Sequence, residues 1–162
     1  MARFTMAKRV AAPIDTVFDA ASDIEHAAEH IRGIEKIELL TPGPIGLGTR
    51  WRETRKMMGH EATETLEFTA FDRPRSYTIG CLSCGSYFET TFRFAPAASN
   101  ATNVSVEVNC EPRSFMARLM APLGKLMFAK MMRKCMDDDL EDIKRAVEPR
   151  AMQTGSSVAA HS

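Results

Sequence analysis

The sequence predicts an α+β domain in which a curved antiparallel sheet packs against one long C-terminal helix. Strand-like segments separated by short turns follow one another from residue 34 to residue 110, and strands joined in this way pair antiparallel. Residues 114–147 then show the helical period, with apolar residues at Met132, Met136, Leu140, Ile143 and Val147. A helix of about 34 residues spans roughly 50 Å. Such a helix needs a broad surface, and a curved sheet supplies one while leaving a cavity between them.

One strand and two short helices are predicted for residues 4–33. Residues 4–11 alternate loosely and form the strand, and Pro13 stands where a helix can begin, because a first-turn residue has no N–H to lose. Ser22 and Glu25 fit a capping box that begins the second short helix, and Gly33 ends that helix. Two short helices are therefore expected after the first strand.

Six more strands and the long helix complete the predicted domain. The strands are expected at residues 34–40, 49–57, 61–71, 76–82, 87–95 and 104–110. Pro112 ends the last strand, and Ser114 can cap the helix that follows. Pro149 is expected to close that helix. The domain is thus predicted over residues 1–148, and the small, polar residues 149–162 are predicted to form a disordered tail.

The composition limits the possible classes of protein. A chain of 162 residues with 44% hydrophobic and 26% charged residues suits one domain with a sizeable core. The formal net charge of zero gives no electrostatic support for nucleic-acid binding. No apolar run reaches about 18 residues, and the start has no apolar signal segment, so neither a transmembrane helix nor a signal peptide is expected. The four cysteines are then expected to stay reduced, in a cytoplasmic protein.

Five stretches of the chain resemble the START-like superfamily, specifically its SRPBCC branch of polyketide cyclase/dehydrase and lipid-transport proteins, which is Bet v 1-like. The stretches are residues 12–19, 22–25, 33–40, 46–53 and 139–144. They mark a fold and contain no catalytic signature. The resemblance covers about residues 1–148 and implies a helix-grip fold, with a seven-stranded antiparallel sheet wrapped around the C-terminal helix and an apolar ligand cavity between them. The family includes cyclases, ligand carriers, receptors and co-chaperones, so the fold leaves the activity open.

Strand alternation indicates which side chains face such a cavity. Trp51, Glu53 and Arg55 share one face of the third strand, and the face with the tryptophan is the better candidate for the concave side. Alternation by itself gives a face without its direction. The expected ligand-binding residues are Trp51, Arg55, Leu66, Phe68, Ile79 and Phe92 from the strands, and Met120, Leu123, Met127 and Met131 from the helix.

Glu53, Glu64 and Tyr77 are the candidate catalytic residues. A carboxylate desolvated by apolar walls has a raised pKa and can transfer protons, and a phenol can donate to a carbonyl oxygen. An acid/base pair with such a donor suits a cofactor-free aldol cyclase or dehydratase. The alternative is that the glutamates form cross-strand ion pairs with Arg55 at a rim, without a chemical role.

Two motifs could in principle bind metal. Cys81 and Cys84 have CxxC spacing, but the sequence has no second CxxC pair, and half a site is weak evidence, so a hairpin turn with two incidental thiols is the preferred explanation. His26, Glu29 and His30 match H-x-x-E-H, which on a helix places two imidazoles on one face. Solvent-facing histidines, or histidines at the cavity entrance, are the alternatives. We expect neither a metal ion nor another cofactor.

The long helix has a basic part and an acidic part. Residues 113–134 contain six Lys and Arg and no Asp or Glu, whereas residues 137–142 contain five acidic residues. The basic part is also rich in Met, and a basic, apolar helix can lie on an anionic membrane or in a partner's groove. Alternatively, its apolar face lines the cavity and its lysines are solvated.

These observations predict a protein that binds a hydrophobic small molecule, lipid-like or polyketide-like, between the sheet and the C-terminal helix. Two other functions stay open. One is a cofactor-free polyketide cyclase or dehydratase that uses the cavity carboxylates. The other is an interaction protein that contacts a partner, or transiently a membrane surface, through the basic Met-rich helix.

Overall fold

The structure, a computed structural model, describes residues 2–57 and 59–158. Within these residues the chain forms seven strands and three helices. The strands are β1 (Ala2–Val10), β2 (Ile34–Leu39), β3 (Arg50–Met57), β4 (His60–Asp72), β5 (Ser76–Ser83), β6 (Ser86–Ala97) and β7 (Ala101–Pro112). The helices are α1 (Ile14–Ser22), α2 (Ala27–His30) and α3 (Phe115–Val158).

The strands form one antiparallel sheet in the order β1-β7-β6-β5-β4-β3-β2. Each strand from β2 to β7 pairs with its neighbour in the chain, and α1 and α2 connect the two edges of the sheet. The register shifts between Ile34 and Lys36 and between Phe68 and Ala70. Such irregularities bend a strand and increase its twist, which helps the sheet to curve. The predicted α+β helix-grip fold, with its seven strands and long C-terminal helix, is confirmed.

An aromatic cluster fills the end of the fold beneath α1. Phe18 of α1 meets the rings of Phe71, Tyr77 and Phe94 edge-on, with centroid distances of 5.4, 5.7 and 5.2 Å. Edge-on rings place the positive edge of one against the negative face of the next. This packing fixes α1 against β4, β5 and β6 and closes one end of the space enclosed by the sheet.

The two halves of α3 pack differently. In the C-terminal half Leu140, Ile143 and Val147 are buried, in agreement with the helical period of the sequence. Residues 118–127 are all exposed, and a Cβ built on Gly124 would meet no heavy atom within 4 Å. None of the helices in the described part of the chain has both the length and the hydropathy that crossing a membrane requires. The stretch 118–127 of α3 therefore stands clear of the sheet.

The start of α3 is fixed to the turn between β5 and β6. The backbone N–H groups of Arg113 and Ser114 both donate to the Gly85 carbonyl at 2.9 Å. The Ser114 hydroxyl accepts the N–H of Ala117 at 3.1 Å, which is the cap predicted from the sequence. Gly85 has φ of 73°, and a Cβ there would collide with Ser114. Only glycine fits this turn without strain.

The structure differs from the prediction at two helix boundaries. Ser22 is the last residue of α1 and donates its hydroxyl to the Phe18 carbonyl at 2.9 Å, so it does not form a capping box. The helical backbone of α3 passes Pro149 and continues to Val158. The fixed φ of proline lies in the helical range, although the residue lacks one helical N–H and its ring crowds the preceding turn. The disordered tail stays a prediction, and residues 159–162 lie outside the described part.

Candidate ligand-binding cavity

A cavity of about 220 Å³ lies between the concave face of the sheet and α3. Strands β3 to β6 form one wall, α1 and α2 close one side, and the turns of α3 from Phe128 to Ile143 form the other wall. Most of the lining side chains are apolar. An apolar cavity of about 150 Å³ holds one benzene. This cavity therefore has room for a small aromatic or short acyl group.

The structure brings nearly all of the predicted strand residues to this cavity. Its lining includes Trp51, Glu53, Arg55, Glu64, Leu66, Tyr77, Ile79 and Phe92. Of the predicted strand residues only Phe68 is outside the lining: it is fully buried in the aromatic cluster, with its ring centroid 4.9 Å from that of Trp51. Arg50 and Arg52, on the opposite face of β3, are exposed. The face of β3 that contains the tryptophan is therefore the concave one.

The four helix residues predicted to line the cavity do not line it, and this part of the prediction is wrong. Met120, Leu123 and Met127 are exposed, and Met131 is absent from the lining. The residues of α3 that do line the cavity are Phe128, Met132, Cys135, Met136, Asp139 and Ile143. The sequence before residue 129 is apolar on nearly all sides of the helix, so its periodicity does not define which side faces the sheet.

A buried ion triad joins the sheet to α3 at the cavity wall. The Arg55 Nε donates to Glu53 Oε1 at 2.8 Å, and its Nη1 lies 3.0 and 2.9 Å from the two carboxylate oxygens of Asp139. Trp51 Nε1 is 3.4 Å from the second Glu53 oxygen. The three charged side chains are only 11–16% exposed. One guanidinium thus bridges two carboxylates that come from β3 and from α3.

Burial and charge shift the pKa values of Asp139 and Arg55. It raises the pKa of Asp139 to about 6, against the opposing attraction of Arg55, and the charges of Glu53 and Asp142 add to the increase. Burial also disfavours the charge on Arg55, but Asp139 and Glu53 outweigh it and hold the pKa of Arg55 above its usual range. The cavity therefore contains a carboxyl group that titrates near neutral pH beside a cation that does not.

The sequence interpretation missed Asp139, although a signal for it was present. Asp139 follows Met136 by three residues and precedes Ile143 by four, so all three share one side of the helix. Because Ile143 belongs to the apolar period that predicted the buried side of α3, an aspartate in phase with it is expected to face the sheet.

Glu64 lies directly opposite Glu53 in the pairing of β3 with β4, so the two glutamates are neighbours, as predicted. The Ser83 hydroxyl donates to Glu64 Oε1 at 2.6 Å, and the Cys81 thiol lies 3.8 Å from Oε2. Burial raises the pKa of Cys81 to about 12, with the nearby Glu64 charge adding to it, so this thiol stays protonated. Within the described residues Glu64 has no ion-pair partner, unlike Glu53.

Tyr77 does not fit the donor role predicted for it. Its hydroxyl is the donor of a 3.1 Å hydrogen bond to the Ala21 carbonyl of α1. Complete burial, with a smaller effect of the Asp139 charge, raises the pKa of Tyr77 well above its usual range. The single phenolic proton is thus committed to the backbone of α1, and Tyr77 contributes a fixed aromatic wall rather than a donor for a ligand oxygen.

The two metal-like motifs do not form a metal site in the described residues. His26 precedes α2, and its Nδ1 lies 3.0 Å from the Asp23 carboxylate. Cys84 is exposed in the turn after β5, whereas Cys81 faces the cavity. In residues 2–57 and 59–158 no three His, Cys, Asp or Glu side chains are grouped so that they could hold a metal ion.

Solved structures share this fold at low sequence identity. The protein TTHA0849 from Thermus thermophilus is 19% identical, with a TM-score of 0.71 over 99% of this chain and 100% of that chain. The Zhui aromatase/cyclase from Streptomyces sp. R1128 is 18% identical, with a TM-score of 0.75 over 92% and 94%. Truncated norcoclaurine synthase from Thalictrum flavum is 16% identical, with a TM-score of 0.68 over 90% and 92%.

At these identities the structural likeness shows the fold alone, and no curated protein sequence matches the chain. The family described as "Polyketide cyclase / dehydrase and lipid transport" matches residues 1–148, which is nearly the whole chain. Together with the seven-stranded sheet, the long C-terminal helix and the cavity between them, this match shows that the chain belongs to the polyketide cyclase/dehydrase and lipid transport family.

Proposed function

We propose that this protein binds a hydrophobic small molecule, lipid-like or polyketide-like, in the cavity between the sheet and α3. The observation that supports the proposal best is the cavity itself, which has about 220 Å³ of space and a mostly apolar wall that includes Trp51, Ile79 and Phe92. Ligand sites are commonly apolar clefts with a few polar groups that orient the ligand. Apolar contact provides the affinity, and the polar groups select the orientation.

Arg55 and Glu64 are the polar groups that orient the ligand in this proposal. Arg55 lines the cavity, and within the described residues its Nη2 makes no hydrogen bond, so two N–H groups remain for a ligand oxygen. Glu64 accepts from Ser83 and keeps further acceptor sites for a ligand hydroxyl. The favoured ligand is therefore an apolar molecule with carbonyl and hydroxyl oxygens.

Native mass spectrometry of the freshly purified protein tests this proposal. We expect a population heavier than the polypeptide by one defined apolar molecule, and organic extraction should release that molecule for identification. Protein that is folded by circular dichroism, that carries no adduct and that binds none of a panel of fatty acids and aromatic polyketides would contradict the proposal.

Acid–base catalysis on a polyketide-like ligand is the second candidate function. Glu53 and Glu64 face each other across β3 and β4, and within the described residues only Glu53 has a cation partner. A free carboxylate beside a paired one provides a base without a cofactor, and Asp139 adds a carboxyl group whose pKa is about 6. These groups are suited to moving protons in an aldol cyclisation or dehydration.

Glu64→Gln tests the catalytic candidate. We expect turnover of a linear poly-β-ketone substrate to fall by about 10²–10⁴-fold, the usual contribution of a positioned acid or base, while binding stays within a few-fold. Glu61→Gln is the matched control, because Glu61 lies on the same strand with its side chain on the exposed, opposite face. Equal turnover in both variants would remove Glu64 from the mechanism.

Two further properties belong to the proposal. A cytoplasmic location is supported by Cys81, Cys84, Cys110 and Cys135, which are all free. Contact of the basic Met-rich part of α3 with a membrane surface or a protein partner is supported by the exposure of residues 118–127.

A further inference from the structure

The first half of α3 presents a continuous apolar stripe to solvent. The stripe, here named the outer face, consists of Phe115, Met116, Leu119, Met120, Leu123, Leu126 and Met127. Each of these side chains is between 56% and 86% exposed. At 3.6 residues per turn the seven positions fall within an arc of about 140°. Seven large apolar side chains on one arc form a patch rather than scattered exposure, and such a patch marks an interaction surface.

The outer face points away from the rest of the protein. On the opposite side of the helix, Phe128 meets Phe88 at a centroid distance of 5.4 Å, and Ala117 lies next to the turn at Gly85. The side of α3 that turns toward the sheet is thus already identified by its contacts. The described part of the chain leaves the outer face uncovered.

The charge around the outer face indicates what covers it. The segment 113–134 has six basic residues and no acidic one. Within the described residues Lys125 and Lys130 have no ion-pair partner, and Arg118 donates only to the Pro112 carbonyl at 3.4 Å. Arg118 and Lys125 lie on one flank of the helix beside the outer face, and Lys130 lies about one turn beyond its end. These cations are therefore available to an anionic partner.

The ion pairs of this segment lie at its two ends. Arg113 is 3.9 Å from Glu111 before the helix, and Lys134 is 2.6 Å from Asp138 one turn further along it. Between these ends every charged side chain of the segment is positive. A second copy of the chain would place basic against basic here, which disfavours self-association.

We propose that the outer face is a docking surface for an anionic phospholipid bilayer. Its apolar side chains enter the acyl boundary, and Arg118, Lys125 and Lys130 contact the lipid phosphates, as in helices that lie in a membrane interface. This docking is one form of the surface contact of α3 included in the proposed function, and it does not depend on which molecule the cavity binds. Docking would place the bilayer beside the exposed stretch 118–127, which ends next to Phe128, the first cavity residue on α3.

Co-sedimentation of the full chain with phosphatidylcholine vesicles, with and without phosphatidylserine, tests the inference. We expect binding to the anionic vesicles that weakens as salt is raised. Each basic residue at an anionic surface contributes a factor of about five, so Arg118→Gln with Lys125→Gln should weaken binding about 25-fold. Leu123→Gln with Leu126→Gln should weaken it at least about 10-fold.

Matched controls separate this surface from general charge and hydrophobicity. Lys36→Gln with Lys56→Gln removes two exposed lysines on β2 and β3, and Leu47→Gln with Leu82→Gln removes two exposed leucines elsewhere. Both control pairs should bind the vesicles within about twofold of the parent protein.

Absence of binding by the parent protein to anionic vesicles would overturn the inference. Equal binding to pure phosphatidylcholine vesicles would also overturn it. A third contrary result is a dimer in analytical ultracentrifugation that dissociates when Leu123→Gln and Leu126→Gln are introduced, because the outer face would then be a self-association surface. None of these substitutions lies in the cavity, so vesicle binding does not report on ligand binding. Whether the cavity binds a ligand is measured independently, by native mass spectrometry.

Discussion

Replacement of Arg55 by methionine is expected to lower the free energy of unfolding by about 3–5 kcal/mol at pH 7. Methionine keeps much of the length of the side chain but removes the guanidinium that bridges Glu53 and Asp139. Both carboxylates then stay buried without a cation, and Glu53 retains only the long hydrogen bond from Trp51. Because breaking a buried pair leaves uncompensated charge, the loss is far larger than for a surface pair.

The effect of Arg55→Met depends on pH, with a sign set by Asp139. In the parent protein the folded-state pKa of Asp139 is about 6, above its ordinary value of 3.8. Its contribution to stability is therefore fully present below pH 3.8 and is lost as the pH rises through 6. Arg55 lowers the pKa of Asp139, so removing Arg55 raises that pKa further. The stability that is lost when Asp139 ionises is then larger, and it is lost at higher pH. The variant should be least affected near pH 5 and most affected above pH 7.

Urea unfolding at several pH values checks this expectation. Arg52→Met is the matched control, because Arg52 lies on the same strand, points outward and pairs with Glu38 at the surface. It should cost less than about 1 kcal/mol. Adding Asp139→Asn to Arg55→Met removes one uncompensated charge and should restore part of the stability. Equal costs for the Arg55 and Arg52 variants would show that the triad is solvated.

The fold could be predicted because its signals are local. Alternation within each strand placed Trp51, Glu53 and Arg55 on one face, and turn residues separated the strands. The apolar period of Leu140, Ile143 and Val147 identified the buried side of the second half of α3 correctly. In each of these cases the physical cause lies within about ten residues of the chain, where periodicity can detect it.

The site was only partly predictable, because its chemistry depends on contacts between distant segments. The Tyr77 hydroxyl donates to the Ala21 carbonyl, and Arg55 reaches Asp139 across the cavity. The Tyr77 contact leaves no trace in local pattern, and the helical phase of Asp139 indicates that it faces the sheet but not that it meets Arg55. The cavity lining predicted from the first half of α3 was wrong for a different reason. Met120 and Leu123 belong to a solvent-facing side of the helix that is as apolar as a buried one. A periodic pattern shows that a face is apolar, but not what covers it.

Thr90→Phe is expected to weaken ligand binding by about 30- to 100-fold, which corresponds to about 2–3 kcal/mol of steric overlap. Thr90 lies on β6 opposite Ile79 and lines the cavity. A phenyl ring at this position occupies space that the ligand needs, while the aromatic cluster under α1 and the ion triad keep their contacts. Fluorescence titration with the ligand identified by mass spectrometry, or with a fatty acid of similar size, measures the change.

Thr91→Phe is the matched control for this experiment. Thr91 is the next residue of β6, and its hydroxyl lies 3.0 Å from that of Thr78 on the other face of the sheet. The two variants therefore add the same ring to the same strand, and only the face differs. Binding by the Thr91 variant should stay within a few-fold of the parent protein. If Thr90→Phe binds as tightly as Thr91→Phe while both remain folded, the ligand lies elsewhere, and the cavity is not the site of binding.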